Sequence, residues 1–320
     1  MADNKSLLQS SIQTLRHNGL IGLSRQAALY LARRMAWRSD AWSKTLDFKI
    51  SRDHLLREYG PLIKRNEIFR DRHQGQCCFV IGNGPSLREQ NLSPLANEIT
   101  LVTNSFYLHP IVGEHWQPSY YFLSDPSYFN ESANLSEYDK LISKIRAAPF
   151  FVPHFARDFL VTTKALPSER TYFVAAGGGL EEESCRTKPD LAGVVPGMQT
   201  VAQLAIMAAM YMGCSRIYLL GLDHDWLSHG GEHINFYSDH DAGDQPAGNI
   251  NGWEYKPLME SVLVMWQIYE GLERSARAAG IKIVNATRGG FLDVFERENY
   301  ESVVEATPVS KENTGCQSTH

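Results

Sequence analysis

The chain has 320 residues, of which 43% are apolar and 21% are charged, a composition typical of globular proteins and unlike collagen-like or wholly disordered chains. Its 31 basic and 36 acidic residues give a net charge of −5, which argues against a general nucleic-acid binder, because such proteins carry a basic excess. No run of about 18 apolar residues predicts a transmembrane helix, and the first residues lack the apolar core of a signal peptide. We therefore expect a cytoplasmic protein whose five cysteines are reduced.

The first forty residues are basic and interleaved with apolar side chains. Between Asp3 and Asp40 there are six Lys or Arg residues and no acid. This pattern predicts one or two amphipathic helices, which either pack on the main domain or lie peripherally on an anionic membrane surface. A further helix is predicted over about Asp53 to Phe69, before a polar segment that ends at Gly75. The predicted organisation is an N-terminal helical segment over 1–74, a main domain over 75–306 and a disordered tail over 307–320.

From residue 77 onwards, short apolar runs alternate with longer helical patterns. The helical patterns cover Thr200 to Met212 and Tyr255 to Ala279, and each is followed by a glycine that suits a helix C-cap. The alternation predicts an α/β, Rossmann-like fold, a mostly parallel sheet with helices on both faces, preceded by the N-terminal helical segment. The predicted strands begin at about Cys77, Ile99, Tyr120, Phe150, Tyr172, Arg216 and Ile281.

The segment Gly82-Asn83-Gly84-Pro85-Ser86 follows the first predicted strand, and ligands of open parallel sheets bind beyond the carboxyl ends of the strands. The glycines permit a tight turn, and the proline suits the first position of a helix. The outward-facing amides of Ser86 and Leu87 would then form a phosphate site, although a turn without a ligand remains an alternative. The third glycine of the dinucleotide fingerprint and a P-loop are both absent, which disfavours NAD and ordinary P-loop ATP chemistry.

Polar residues follow other predicted strands. Asn104 suits a ribose or a pyrimidine edge, or caps the next helix. Asp125 is expected to hold a hydroxyl or a metal-bound water, or to serve as a turn acid. Asp223 and Asp225 can bind a divalent ion or orient a sugar hydroxyl. Arg288, beside two glycines, is expected to clamp a phosphate or carboxylate, or to lie on the surface.

A long loop after Asp225 is rich in histidine and also contains Tyr237. Such a loop at the active edge of a sheet is more typical of a lid than of a simple connection. Imidazole is the side chain best suited to proton transfer near neutral pH. Among these histidines we expect His233 to be the catalytic base, whereas His229 and His240 have no assigned role.

These motifs together carry a resemblance to a known family. The segments Val80–Leu87, Thr200–Met212, Leu219–His224 and Asn285–Leu292 resemble the MptE-like domain family, named after an archaeal 6-hydroxymethylpterin diphosphokinase. That family includes Maf proteins that glycosylate flagellin and proteins of bacterial surface-sugar loci. The Gly82–Ser86 motif is also similar to that of bacterial lipo-oligosaccharide sialyltransferases, which use CMP-activated sugars.

The resemblance implies a CMP-sugar-dependent glycosyltransferase of bacterial surface glycan or glycoprotein biosynthesis, with no required cofactor. Its expected partners are a nucleotide-activated sugar and a lipid-linked or protein-linked glycan acceptor. A second hypothesis is a diphosphokinase that transfers diphosphate from ATP to a pterin-like alcohol and uses Mg²⁺ held by Asp125, Asp223 and Asp225. A third is a non-catalytic nucleotide-binding accessory protein. From the strand-end positions and the resemblance together, the residues expected to bind the nucleotide are Gly82, Asn83, Gly84, Ser86, Asn104, Thr200, Tyr237 and Arg288, and the expected catalytic residues are His233, Asp125 and Asp223.

Overall fold

The structure is a computed structural model that describes residues 40–177, 188–229, 235–237 and 255–306. The predicted cationic helices before residue 40 and the predicted tail from residue 307 lie outside these ranges. The chain divides into two compact units, Met1–His54 and Leu55–His320. Of the first unit, the structure describes only residues that belong to helix α1 (Asp40–Ile63).

The second unit contains a nine-stranded sheet in which each strand is parallel to its neighbours. The strands are β1 (Cys77–Ile81), β2 (Thr100–Thr103), β3 (Tyr120–Phe122), β4 (Phe150–Pro153), β5 (Thr171–Ala176), β6 (Val194–Val195), β7 (Arg216–Leu220), β8 (Lys282–Asn285) and β9 (Glu296–Arg297). Their order across the sheet is β6-β5-β4-β3-β2-β1-β7-β8-β9. The predicted α/β, Rossmann-like fold is therefore confirmed.

Helices cover the sheet. They are α2 (Leu135–Lys144), α3 (Arg157–Thr163), α4 (Val201–Tyr211), α5 (Tyr255–Ala278) and α6 (Tyr300–Ala306). Helix α4 is built from small and apolar residues and is buried over nearly its whole length, as its composition predicts. It begins with a capping box between Thr200 and Gln203, and Gly213, with a φ of 86°, follows its last turn. In the described part of the chain, no helix has the length and apolarity required to span a membrane.

The sheet separates two apolar layers, and alternate residues of β1 enter them. Cys78 and Val80 belong to the layer that contains α4, whereas Phe79 and Ile81 belong to the opposite layer. Both faces are therefore buried, which explains why the strand sequences are continuously apolar instead of alternating.

The stretch over residues 55–74, which the sequence places in the N-terminal helical segment, belongs to the second unit. Phe69 is 1% exposed, and the centroid of its ring lies 4.7 Å from the ring centroid of Tyr172 and 5.0 Å from that of Phe151. The side-chain amide of buried Asn66 donates to two main-chain carbonyls, those of Phe173 (2.9 Å) and Leu191 (2.7 Å). The polar segment before β1 is thus an internal connection of this unit.

We predict that Phe69→Ala lowers the free energy of unfolding by about 3–5 kcal/mol, because it leaves a cavity among aromatic rings. The matched control is Ile68→Ala, since Ile68 is the preceding residue and is 58% exposed. This control should change stability by no more than about 0.5 kcal/mol. Chemical denaturation monitored by circular dichroism measures both effects. Equal losses in the two variants would contradict the assignment of this stretch to the main core.

Candidate functional site

The carboxyl ends of β1 and β7 meet where the strand order of the sheet reverses. β1 pairs with β2 on one side and with β7 on the other. Ligands of open α/β sheets bind at such a switch point. The fold therefore places the turn Gly82–Ser86 and the segment Gly221–Asp225 together at the edge where a ligand is expected.

These two segments contact each other through their main chains. The amide of Gly82 donates to the carbonyl of Leu220 (2.8 Å), and the amide of Gly84 donates to the carbonyl of Gly221 (2.9 Å). A Cβ atom added at Gly82 would lie 2.4 Å from the Gly221 oxygen, closer than Cβ atoms approach in proteins. The close approach between the two loops therefore requires glycine here.

The carboxylate of Asp223 lies directly against the turn. Its Oδ1 accepts from the amide of Ser86 (3.2 Å), and its Oδ2 accepts from the Ser86 hydroxyl (2.9 Å). A Cβ atom at Gly84 would lie 1.7 Å from the same Oδ2. One side chain, 137 positions away in the sequence, thus occupies the inner side of the turn.

The amides predicted to bind phosphate at this turn donate to acceptors within the chain. Besides the amides of Gly84 and Ser86, the amide of Leu87 is also used inside the chain and donates to the carbonyl of Gly84 (3.2 Å). The helix that follows the turn is a 3₁₀ helix of five residues, Pro85–Glu89, so it supplies little dipole. Pro85 occupies its start, as predicted. The acidic group that contacts the turn in this structure is the side-chain carboxyl of Asp223, at the place where a phosphate was predicted.

The pKa of Asp223 is raised to about 6, because burial and, to a smaller extent, the nearby Asp225 raise it more than the two hydrogen bonds from Ser86 lower it. The desolvation of a side chain that is 5% exposed dominates this balance. Asp223 therefore exchanges its proton in mildly acidic solution, above the range of an ordinary carboxyl.

A cleft of about 180 Å³ opens beside this contact. Six of the residues predicted to form the site line it, and they are Gly82, Asn83, Gly84, Asn104, Thr200 and Asp223. Asp225 and His224 also line it, but none of the described lining residues is Lys or Arg. The described wall is thus acidic and rich in hydrogen-bond acceptors.

Asn83 follows β1 and is held by the neighbouring strand β2. Its Nδ2 donates to the main-chain carbonyl of Thr103 (3.0 Å) and to the hydroxyl of the same residue (3.2 Å). Its Oδ1 is buried and has no hydrogen-bond partner among the described residues. Because Nδ2 is anchored, the amide cannot turn over without opposing two oxygen atoms, so Oδ1 remains an unused acceptor.

Asn104 follows β2 in a left-handed conformation, with a φ of 46°. Its carbonyl accepts from the hydroxyl of Tyr121, which in turn accepts from the amide of Tyr107 (3.0 Å). The Oδ1 of Asn104 is buried and has no partner among the described residues. The buried tyrosine hydroxyl thus fixes a strained main chain, an arrangement typical of functional sites.

His224 is a cleft residue that sequence reasoning missed. It has a φ of 48°, and its Nε2 lies 2.8 Å from the hydroxyl of Tyr269. That hydroxyl lies 3.1 Å from the Oγ1 of Thr200, which also caps α4. A hydrogen-bonded chain therefore connects two positions of the cleft wall through a fully buried phenol. The place of His224 directly after Asp223 was the sequence signal available for it.

Three further predicted residues, Asp125, Tyr237 and Arg288, do not line this cleft. Asp125 is exposed, and its Oδ1 accepts from the amide of Ser127 (2.9 Å), so it serves as a turn acid. Tyr237 is half-buried against the ring of Phe236. Arg288 lines a neighbouring cleft. His233 lies outside the described residues.

Within the described ranges, no group of three His, Cys, Asp or Glu residues could hold a metal ion. The three cysteines in these ranges, Cys77, Cys78 and Cys214, are free thiols.

The profile of the family described as "6-hydroxymethylpterin diphosphokinase MptE-like" matches residues 53–229, more than half of the chain. The chain belongs to the MptE-like family. The matched range of this MptE-like chain includes both loops of the β1–β7 contact, and the predicted resemblance is confirmed. None of the curated protein sequences matches the chain.

Solved structures of bacterial sialyltransferases are similar to this MptE-like chain. CstII from Campylobacter jejuni in complex with the substrate analogue cytidine-5'-monophosphate is 15% identical, with a TM-score of 0.40, over 77% of this chain and 91% of that chain. CstII in complex with a trisaccharide acceptor and CMP is 15% identical, with a TM-score of 0.41, over 69% and 85% of the two chains. An α-2,3-sialyltransferase from the same organism in apo form is 15% identical, with a TM-score of 0.35, over 66% of this chain and 75% of that chain.

The raised pKa of Asp223 predicts a pH effect on stability. The unfolded chain releases this proton near pH 4 (about 3.9 for an ordinary Asp), whereas the folded chain keeps it up to about pH 6. In this window the folded state binds more protons, so its stability falls as the pH rises. In Asp223→Asn this contribution is absent, and the melting temperature should fall less between about pH 4 and 6.

Ser86→Ala provides the contrast, because it removes a bond that favours the ionised carboxyl but leaves the carboxyl in place. In this variant the melting temperature should continue to fall up to a higher pH than in the wild type. Differential scanning fluorimetry across a pH series measures all three proteins. Superimposable pH profiles of wild type and Asp223→Asn would rule out the assigned titration.

Proposed function

We propose that the protein is a nucleotide-dependent transferase whose β1–β7 cleft binds the nucleoside end of an activated sugar. The observation that supports this proposal is that the amide oxygens of Asn83 and Asn104 are buried and have no hydrogen-bond partner among the described residues. A buried acceptor without a partner costs about 1–3 kcal/mol, which a donor from a ligand would recover. Ribose hydroxyls and the amino group of cytosine are donors of this kind.

The phosphate of the nucleotide lies elsewhere in this proposal. The amides of Gly82, Gly84 and Ser86 donate within the chain, and the described lining of the cleft carries two carboxylates and no Lys or Arg. An acidic wall favours the hydroxyl-bearing part of a nucleotide over its phosphate. We therefore assign the described cleft to the base and ribose.

The favoured reaction is glycosyl transfer from a CMP-linked sugar to a lipid-linked or protein-linked glycan in bacterial surface glycan biosynthesis. A hydroxyl oxygen of the acceptor forms a bond to the anomeric carbon, while the bond from that carbon to the phosphate oxygen breaks and CMP leaves with the electron pair. A base, proposed to be His233, takes the hydroxyl proton.

The basic N-terminal segment would hold the enzyme peripherally at an anionic membrane surface, close to lipid-linked acceptors.

A second candidate is favoured by the charge of the cleft. Asp223 and Asp225 both line the cleft, and the described lining residues include no Lys or Arg. Phosphates brought to such a wall would arrive with a divalent cation, as in a Mg²⁺-dependent diphosphokinase that acts on a pterin-like alcohol. A non-catalytic nucleotide-binding protein is the third candidate, and the next experiments separate the three.

Thermal-shift measurements with CMP, CDP, UDP, GDP and ATP, each with and without Mg²⁺, test these candidates. We expect CMP to stabilise the protein without metal, by about 2.7 kcal/mol at a concentration 100-fold above Kd. In Asn104→Gly, which suits the left-handed main chain but lacks the amide, this stabilisation should largely disappear. Lys164→Gly is the matched control, because exposed Lys164 has a φ of 55° and does not line the cleft.

Stabilisation by ATP only with Mg²⁺ would support the diphosphokinase instead. Stabilisation by CMP without any transfer activity would support the accessory protein. If no nucleotide stabilises the protein, nucleotide binding at this cleft is refuted.

For the proposed base, His233→Ala should lower the rate of transfer by roughly 10²–10⁴-fold while the affinity for CMP persists. His224→Ala is the comparison, since His224 is the histidine placed in the described cleft. Release of CMP from a CMP-linked sugar, in the presence of acceptor, measures the rate. A rate within about tenfold of wild type in His233→Ala would exclude His233 as the base.

A further inference from the structure

A second, larger cleft of about 620 Å³ lies at the same edge of the sheet, beyond the carboxyl ends of β8 and β9. One wall is the loop that contains Gly289 and Gly290. A Cβ atom at Gly290 would lie 2.5 Å from the main-chain oxygen of Asp223, and the same oxygen accepts from the amide of Phe291 (2.7 Å). Asp223 lines the first cleft and Gly290 the second, so the main-chain contact between them forms a shared wall.

The wall of the second cleft contains a buried acceptor that the fold does not use. Gln90 is 5% exposed, and its Nε2 donates to the carbonyl of Ala286 (3.0 Å). Its Oε1 is buried without a partner among the described residues. A turned-over amide would place this oxygen against the Ala286 carbonyl, so the orientation is determined. A hydroxyl or amino group of a ligand is the kind of donor that would hydrogen-bond to this Oε1 atom.

The charges of this cleft favour a neutral ligand. Among the described residues that line it, two are basic and two are acidic. Arg297 donates to main-chain carbonyls of the loop that precedes β9, including that of Thr287 (3.0 Å), and Glu298 pairs with Lys282 (3.1 Å). Arg297 is therefore engaged within the fold instead of being available to an anionic ligand, and Glu298 is likewise engaged instead of being available to a cationic one.

Arg288 is the donor that remains at the rim. Its guanidinium lies 3.1 Å from a carboxylate oxygen of Glu89, and both side chains are 64% exposed. Such a pair contributes little to stability, so the guanidinium can turn to a ligand at small cost. The cleft thus offers a buried acceptor and an exposed donor, a combination that suits a compound rich in hydroxyl groups.

We propose that this second cleft binds the carbohydrate acceptor of the transfer reaction. The assignment to an acceptor rests on the proposed function, because it places the two substrates on either side of the wall formed by Asp223 and Gly290. The binding of a carbohydrate, in contrast, rests only on Gln90, Arg288 and the charge balance of the cleft.

Saturation-transfer NMR on the full chain tests this proposal with lactose, maltose and N,N'-diacetylchitobiose. At least one of these disaccharides should bind. Gln90→Met, which keeps the side-chain length but removes the acceptor, should weaken that binding roughly tenfold, the loss expected for one hydrogen bond. Arg288→Gln, at an exposed position that does not threaten folding, should weaken it severalfold. Arg146→Gln is the matched control, since Arg146 forms an exposed pair with Glu114 outside the cleft and should not change binding.

The proposal is overturned if none of the disaccharides binds, or if either folded variant binds like wild type. If Gln90→Met does not fold, Arg288→Gln alone decides. The nucleotide measurements described above are independent of this result. Disaccharide binding that depends on both residues, in a protein that no nucleotide stabilises, would keep the carbohydrate cleft and refute the transferase. The reverse outcome would keep the transferase and refute this cleft.

Discussion

The contact between the β1 turn and the β7 loop is the constraint on which the site depends. Three glycines, at 82, 84 and 221, allow the two main chains to meet, and Asp223 closes the contact with two hydrogen bonds from Ser86. A glycine-rich turn ordinarily offers its main-chain amides to phosphate, but here the amides of Gly84 and Ser86 donate to the β7 loop instead. As a result, the ligand-binding edge of the sheet presents acceptors, and the chemistry of the cleft follows from this reversal.

Several destabilising features are concentrated at this edge. Asn104 and His224 have left-handed main chains, and the side-chain oxygens of Asn83 and Asn104 lack partners among the described residues. Left-handed non-glycine residues cost on the order of 1–3 kcal/mol, and Asn tolerates them best. Buried acceptors add a similar cost. A chain selected for stability alone would remove such features, so their coincidence in one cleft supports a role in ligand binding.

The sequence predicted the parts of the fold that depend on local pattern. β1 and β7 begin at the predicted residues, Cys77 and Arg216, because short apolar runs bounded by polar residues or glycine are typical of buried strands. β6 and β9 were missed, since two residues cannot establish a pattern. Of the predicted site residues, those after β1, β2 and β7 came together, because the carboxyl ends of parallel strands share an edge. The pairing of Ser86 with Asp223 was not predictable, because it joins distant positions that only the tertiary fold brings together.

Asp223 contacts its surroundings in two directions. Its carboxylate binds the β1 turn, and its main-chain oxygen binds Phe291 beside Gly290, in the wall of the larger cleft. A shift of the 288–291 loop therefore displaces the same residue that shapes the smaller cleft. The geometry of the two cavities is therefore connected through a single amino acid, whose carboxylate contacts the turn beside one cavity and whose main-chain oxygen contacts the wall of the other.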